Sequence, residues 1–128
     1  MNMIPDLQYS KEHEWVKVEG DIAYIGITNY AQIQLGDIVY VEMPVVDDEI
    51  KKDEVICAVE SVKTAADIFS PLSGVIVEAN IKLDDEPELV NEQPYEAWVA
   101  AIKMSDISEL DDLMDEGEYG KFCEAEEE

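Results

Sequence analysis

The chain has 128 residues, of which 47% are hydrophobic, and it carries a formal net charge of −24 from 32 acidic residues against eight lysines and no arginine. Its length and hydrophobic content predict one domain over residues 1–128, with a modest core and the excess charge on its surface. The charge argues against nucleic acid and anionic membranes as partners and favours proteins with basic docking surfaces.

Three further features predict a cytoplasmic protein. No apolar run approaches the roughly 18 residues that a membrane-spanning helix needs. The first six residues have neither the basic pattern nor the Arg/Ser-rich pattern of a targeting signal. The two cysteines, Cys57 in an apolar segment and Cys123 in a polar one, do not form a disulfide framework and are expected to be reduced thiols.

The first half of the chain predicts short strands and one short helix. Residues 15–18 and 21–27 form a hairpin in this interpretation, because Glu-Gly-Asp between them is a plausible turn. Thr28 is placed to cap one or two helical turns that Gly36 ends. Residues 38–43 follow as a strand, which a proline terminates, and an acidic connection leads to the centre of the chain.

The centre of the chain places one lysine between two apolar segments. Residues 55–59 and 65–69 predict two strands with Lys63 at or next to the tip of the hairpin that joins them. Glu60 and Asp67 flank the tip on either side. Small neighbours leave room for an enzyme to approach the amine, so we interpret Lys63 as an attachment point for a carried group. The alternative is a solvated turn lysine of the ordinary kind.

The second half predicts further strands and a weak internal repeat. Residues 75–79 and 98–103 read as strands, with an acidic segment at 82–90 between them. Aligning 38–49 with 75–86 superposes two acidic Asp-Asp-Glu triplets and indicates two similar β units around a pseudo-twofold axis. Two unrelated acidic loops explain the same match equally well.

The end of the chain predicts a helix followed by an acidic tail. Asp106 and Glu109 have the spacing of a capping box, and Gly117 is placed to end the helix. An apolar stripe supports this helix: Leu110, Leu113 and Met114. Residues 118–128 are expected to fray as an acidic tail. Many short strands separated by turn signals predict a mainly β sandwich or flattened barrel decorated by short helices.

The chain lacks the usual parts of an enzyme. The single histidine, His13, has no second histidine with which to build a zinc site, and a structural or docking role is favoured over general-base catalysis. The acidic runs lack the alternating ligand pattern of a calcium loop. No phosphate-binding glycine loop and no nucleophile elbow is present.

Several motifs in order resemble the H proteins of the glycine cleavage system. The central motif is Glu-Ser-Val-Lys-Thr-Ala-Ala-Asp at 60–67, followed by Ser-Pro-Leu-Ser-Gly at 70–74. Other matching segments run over nearly the whole chain, at 12–16, 26–32, 35–42, 87–91 and 94–98. The resemblance implies a barrel-sandwich hybrid of two antiparallel sheets with a short helix in the N-terminal half and a C-terminal helix.

The resemblance also implies a function. Lys63 carries lipoic acid in amide linkage, attached by a lipoylating enzyme, and the protein is a carrier without catalytic activity. A pyridoxal-phosphate glycine decarboxylase (P protein) loads an aminomethyl group onto the arm. A tetrahydrofolate-dependent aminomethyltransferase (T protein) takes the methylene group, and dihydrolipoamide dehydrogenase (L protein) reoxidises the dithiol with NAD.

A sheltering cleft is expected for the loaded arm, because its amine is otherwise lost to water. Glu14 and Asp67 are the carboxylates that we expect to hold the aminomethyl ammonium, the alternative being ordinary surface acids. Asp48, Asp53 and Ala97 stand where the family often has glycine, so the loops around them are expected to differ in shape.

Three other functions compete with this one. A biotin carrier uses a similar hairpin, but its lysine usually has methionine neighbours, whereas Val62 and Thr64 flank Lys63 here. A lipoate relay would pass lipoyl groups to other enzymes. A non-carrier acidic interaction protein would keep the fold and not depend on the lysine.

Overall fold

Residues 7–127, which the computed structural model describes, form two antiparallel sheets and several short helices. This confirms the prediction of a mainly β architecture of two antiparallel sheets. The first six residues, on which the expectation about targeting signals rested, lie outside the described part of the chain. Within that part, no helix is long and apolar enough to cross a membrane.

Nine strands are found in the described residues, and they divide into sheets of six and three. In chain order they are β1 Gln8–Tyr9, β2 Glu14–Glu19, β3 Ile22–Ile27, β4 Ile38–Glu42, β5 Glu49–Ile50, β6 Val55–Ser61, β7 Ala65–Phe69, β8 Gly74–Ala79 and β9 Ala100–Met104. The larger sheet has the order β1-β2-β3-β9-β8-β5, and the smaller has the order β4-β6-β7. The core lies between the inner faces of the two sheets.

Four α-helices and one 3-10 helix complete the described fold. They are α1 Asn29–Leu35, α2 Lys82–Asp85, α3 Leu89–Glu92, the 3-10 helix Ile107–Asp112 and α4 Glu116–Glu127. The predicted caps of the first helix are confirmed. The Thr28 side chain accepts a hydrogen bond from Ala31 N, and Gly36 ends α1 with a φ of 83°. A positive φ at that position favours glycine.

The predicted hairpin at 15–27 is confirmed as β2 and β3. Gly20 turns the chain with a φ of 65°, and Val16 pairs with Ile25 on the face that enters the core. The opposite face brings Trp15 directly over Gly26. A side chain at position 26 would begin 2.6 Å from the Trp15 ring, so this packing requires glycine.

The acidic segments fold differently from the prediction of plain connections. Residues 45–53 contain β5, and residues 82–90 contain α2 and the beginning of α3. The two aligned acidic triplets therefore have different structures: residues 47–49 form a turn that enters a strand, whereas 84–86 lie at the end of a helix. The acidic identities do not reflect a shared local structure. Charged triplets of this kind fit any exposed turn or helix end.

The predicted end of the chain is wrong in its boundaries. Asp106 caps a 3-10 helix, and Glu109 bonds to Ser73 and not to the backbone at the helix start. The longer helix begins later, where Asp115 and Glu118 cap each other's backbone N–H groups at 2.8 and 3.0 Å. This second Asp-x-x-Glu pattern is the capping box of α4.

The predicted acidic tail at 118–128 is helical through residue 127, and the predicted stop at Gly117 lies inside α4. Apolar side chains explain why this acidic segment is ordered. Tyr119 and Cys123 are buried, and they pack with Leu7, Tyr9 and Trp15 in a second cluster beside the main core. Tyr9 and Tyr119 stack with ring centroids 4.6 Å apart.

Candidate functional site

The tip of the β6–β7 hairpin presents Lys63 to solvent. Residues 55–60 of β6 pair with residues 65–69 of β7, which leaves residues 61–64 as the turn. Ser61 organises this turn, because its hydroxyl accepts hydrogen bonds from the backbone N–H groups of Lys63 and Thr64, each at 3.1 Å. The prediction that Lys63 lies at the tip of a hairpin is confirmed.

The tip is attached to the loop that follows α1. The backbone N–H of Val62 donates to the carbonyl oxygen of Asp37 at 3.0 Å. The aliphatic stem of Lys63 runs beside Gly36, where a side chain would begin 3.4 Å from Lys63 Cε. Gly36 therefore allows the chain to turn after α1 and also leaves space for the stem of Lys63.

A cleft of about 240 Å³ lies between α1, the chain around residue 13 and β7. We call it the arm cleft. Its lining includes Glu14 and Asp67, the two carboxylates that the sequence analysis singled out, together with apolar side chains of which Leu35, Val59 and Ile68 are examples. The structure therefore brings the two predicted carboxylates to one cleft. They differ in exposure, since Glu14 is buried and Asp67 is exposed.

Glu14 is held in place by hydrogen bonds to both carboxyl oxygens. The Ser10 hydroxyl donates to Oε1 at 2.6 Å, and the backbone N–H of Phe69 donates to Oε2 at 3.2 Å. Only 2% of the residue is exposed. Burial, which disfavours the charged form, raises the pKa of Glu14 to about 7, although the two hydrogen bonds act in the opposite direction.

Glu14 also lines a second cleft of about 440 Å³ on its other side. This cleft includes Asp53 and the ion pair between Lys52 and Asp112, whose charged atoms lie 2.8 Å apart. Asp53 has a φ of 74°, a left-handed conformation that favours glycine, although an aspartate stands at this position. At the other loop Asp47, the neighbour of Asp48, has a positive φ of 76°. That these loops differ in shape from those of the family stays a prediction.

His13 is part of a hydrogen-bonded network and not an isolated side chain. Its Nδ1 lies 2.7 Å from the hydroxyl of Tyr119, and its Nε2 lies 2.7 Å from a carboxyl oxygen of Glu126. The ring also stacks on Tyr30 with centroids 4.6 Å apart. These contacts join the cleft wall to α4, which agrees with the structural role favoured for this histidine.

Tyr119 is the buried centre of this network, and the sequence analysis missed it. Its hydroxyl lies 2.6 Å from Oγ1 of Thr28, the residue that caps α1. Burial raises the pKa of Tyr119 well above its ordinary value. The spacing of Tyr119, Phe122 and Cys123 at i, i+3 and i+4 is the signal that could have revealed a packed helix in place of a tail.

In the part of the chain that the structure describes, no group of three or more histidine, cysteine or acidic side chains is arranged to hold a metal ion. The buried thiol of Cys57 has its pKa raised to about 12, chiefly by burial, so it is protonated at neutral pH. The arrangement offers an exposed primary amine beside a partly apolar cleft that contains two carboxylates. Such a site is suited to carry and shelter a cationic group.

Comparison with known proteins gives a consistent result. A family model described as glycine cleavage H-protein matches residues 7–126. The chain is 55% identical over 120 residues to the glycine cleavage system H protein of Thermotoga maritima, which covers 93% of this chain and 97% of that protein. The corresponding protein of Clostridioides difficile is 52% identical over 120 residues, covering 93% of this chain and 96% of that protein.

A solved structure agrees with the sequence comparisons. The crystal structure of a glycine cleavage system H protein from Mycobacterium marinum superposes with a TM-score of 0.84 at 33% sequence identity. The match covers 93% of this chain and 97% of that one. The likeness extends over the sheets and the helices and is not confined to the lysine hairpin.

Proposed function

This chain belongs to the glycine cleavage H-protein family, and from that premise we propose that it carries lipoic acid in amide linkage on Lys63. It is a carrier component and not an enzyme in its own right. Its proposed task is to shuttle the aminomethyl group of glycine from the decarboxylase to the aminomethyltransferase. Reoxidation by dihydrolipoamide dehydrogenase would then return the carrier to its starting state.

The position of Lys63 is the observation that carries this proposal. The side chain is exposed at the hairpin tip, where a lipoylating enzyme can approach the amine end-on. Among the described residues, the ion pairs involve His13, Lys17 and Lys52 and none involves Lys63. No carboxylate therefore has to be displaced before the amine is acylated.

The surroundings of the lysine fit a long neutral arm. Its stem crosses Gly36, and the arm cleft begins at Leu35, the preceding residue. When bound, lipoic acid supplies the disulfide that opens to accept the carried group. The chain supplies a fixed tether, which presents that group at high effective concentration to each docked enzyme.

We assign Glu14 and Asp67 the role of holding the ammonium of the carried group inside the arm cleft. Glu14 faces the cleft with a pKa of about 7, so near neutral pH it exists partly as the acid and partly as the anion. A cation beside it favours the anion. Glu14 then releases a proton as the cargo enters the cleft and takes one up as the cargo leaves.

Two measurements test the proposal in sequence. Mass spectrometry of a peptide containing Lys63, from protein made in its native cell, should show the mass of a lipoyl amide; a biotinyl adduct or a bare lysine contradicts the carrier assignment. Incubation of the lipoylated protein with glycine and the decarboxylase should then add an aminomethyl group. Failure of this loading on a fully lipoylated sample favours a lipoate relay over glycine cleavage.

A further inference from the structure

A groove on the outer face of the larger sheet is separate from the lysine hairpin and the arm cleft. Its floor is a row of residues paired across four strands: Lys17 with Tyr24, Tyr24 with Ala101, and Ala101 with Glu78. Directly paired residues lie on the same face of a sheet. Ala101, which is buried, separates the tyrosine from the glutamate in this row.

Trp98 forms one wall of this groove. Its ring meets that of Tyr24 edge to face, with centroids 5.2 Å apart and planes at 74°. Two hollows of about 530 and 400 Å³ meet here, and both are lined by Trp98, Glu78 and Glu96. We call the two hollows together the outer groove. Partly exposed tryptophan and tyrosine side chains on a sheet face are typical of protein interfaces.

The outer groove has more negative than positive charge. The larger hollow is lined by three glutamates, Glu19, Glu78 and Glu96, and one lysine, Lys17. Lys17 lies 3.3 Å from Glu19, which leaves Glu78 and Glu96 without an ion-pair partner among the described residues. Lys82 lines only the smaller hollow. An aromatic wall next to two uncompensated carboxylates is an environment suited to a cation.

We propose that the outer groove is a docking site for an arginine-bearing segment of a partner protein. A guanidinium can stack flat on the Trp98 ring while its N–H groups pair with Glu78 or Glu96, and an ammonium cannot do both. The smaller hollow continues from this point to Ile81, which is 75% exposed. That hollow accommodates an apolar residue close to the arginine in the segment.

The arginine must come from another protein, because this chain contains none. A second copy of the chain could offer only lysines, and its charge of −24 opposes self-association. A small organic cation would fill the larger hollow and leave the exposed Ile81 uncovered. A basic partner segment satisfies the charge, the aromatic wall and the apolar end of the outer groove together.

The test uses the full chain and a short peptide, acetyl-Leu-Gly-Arg-Gly-amide, followed by the indole N–H signals of the two tryptophans in NMR. The Trp98 signal should move in a saturable way. Trp15 also lines the larger hollow, but its signal should move less, because Trp15 is 1% exposed and its indole N–H donates to the Pro94 carbonyl at 2.8 Å. A movement of the Trp98 signal that does not saturate as peptide is added indicates a general charge effect and overturns the proposal.

Matched peptides and variants separate specific recognition from attraction to an acidic protein. Glu78→Gln and Glu96→Gln should each raise the peptide Kd about two- to fivefold, whereas Glu124→Gln on α4 should leave it unchanged. The same peptide with citrulline should not move the Trp98 signal, and the lysine peptide should bind more weakly. Equal binding of the arginine, lysine and citrulline peptides, or equal effects of all three variants, overturns the proposal. None of these outcomes depends on the lipoylation of Lys63.

Discussion

The hairpin tip and the wall of the arm cleft are built in opposite ways. Lys63 is exposed, and the side-chain hydrogen bonds that shape its turn join residues at most three positions apart. Glu14 and Tyr119 are buried, and their bonds reach across 55 residues to Phe69 and across 91 residues to Thr28. Apart from the backbone bond between Val62 and Asp37, the attachment point depends on local structure, whereas the cleft depends on the complete fold.

This difference follows from what each region is proposed to do. An enzyme must reach the tip, so Lys63 has to remain accessible and its turn can rely on short-range bonds to solvent-exposed groups. A sheltered cation needs a carboxylate that water does not screen, which requires burial and partners from distant parts of the chain. Substitutions at the tip should therefore change attachment with little effect on stability, and substitutions in the cleft wall should change stability.

The largest effect is expected for Lys63→Arg, which keeps the positive charge and removes the primary amine. Lipoylation by a lipoylating enzyme should be lost completely, as measured by intact mass. The free energy of unfolding should change by no more than about 0.5 kcal/mol, because the side chain is exposed. Lys82→Arg is the matched control at another exposed lysine and should be lipoylated normally. A mass gain on the Lys63 variant places the attachment elsewhere.

Glu14→Gln should produce a pH-dependent gain in stability. The pKa of Glu14 rises from 4.5 to about 7 on folding, so between these values the folded protein keeps a proton that the unfolded chain releases. Stability of the parent protein therefore falls as pH increases from 4.5 to 7, by up to about 3 kcal/mol. Below pH 4.5 the folded and unfolded states both bind this proton, so Glu14 no longer makes stability vary with pH.

The measurement for Glu14 is urea unfolding of the parent and the variant at several pH values. The stability of the glutamine variant relative to the parent should increase between pH 4.5 and 7 and stay constant above that range. Asp67→Asn is the comparison at the exposed carboxylate of the same cleft and should show no such increase. A difference for Glu14→Gln that does not vary with pH contradicts the assigned pKa.

Tyr119→Phe should destabilise the protein by about 1–2 kcal/mol, because it leaves His13 Nδ1 and the Thr28 hydroxyl without the buried tyrosine hydroxyl. Tyr40→Phe is a matched control, since Tyr40 is 47% exposed, and it should change stability by less than about 0.5 kcal/mol. Urea unfolding measures both. Equal effects of the two variants would show that the buried network contributes nothing beyond ring packing.

The hairpin and the first helix could be predicted from the sequence because their signals are local. The apolar runs on either side of Lys63, the cap at Thr28 and the glycine at position 36 each act on neighbouring residues. The capping box of α4 was misplaced because two Asp-x-x-Glu patterns lie nine residues apart. Only tertiary packing distinguishes the two patterns. The Glu109 carboxylate accepts a hydrogen bond from Ser73, and Tyr119, which follows the second pattern, is buried.

The two carboxylates of the cleft could be predicted from the sequence, but the hydrogen bonds that hold its wall in place could not. Glu14 and Asp67 were named through a family resemblance, while nothing in the local sequence shows that Ser10 donates to Glu14 or that Tyr119 holds His13. These contacts depend on how the sheets and α4 come together. Acidic composition was also misleading, because it suggested a frayed tail where a few apolar side chains order a helix.

A smaller effect on lipoylation than that of Lys63→Arg is expected from Ser61, the serine that shapes the turn at the tip. Ser61→Ala removes the hydroxyl that accepts from Lys63 N and Thr64 N, but water can replace it at this exposed turn, so the loss should be below about 1 kcal/mol. The rate of lipoylation should fall, because the turn that aims Lys63 outward is less fixed. Ser105→Ala, an exposed serine away from the tip, should leave both quantities unchanged. If Ser61→Ala unfolds at lower urea yet accepts lipoate at the parent rate, the turn serves stability alone and the separation between tip and cleft wall fails.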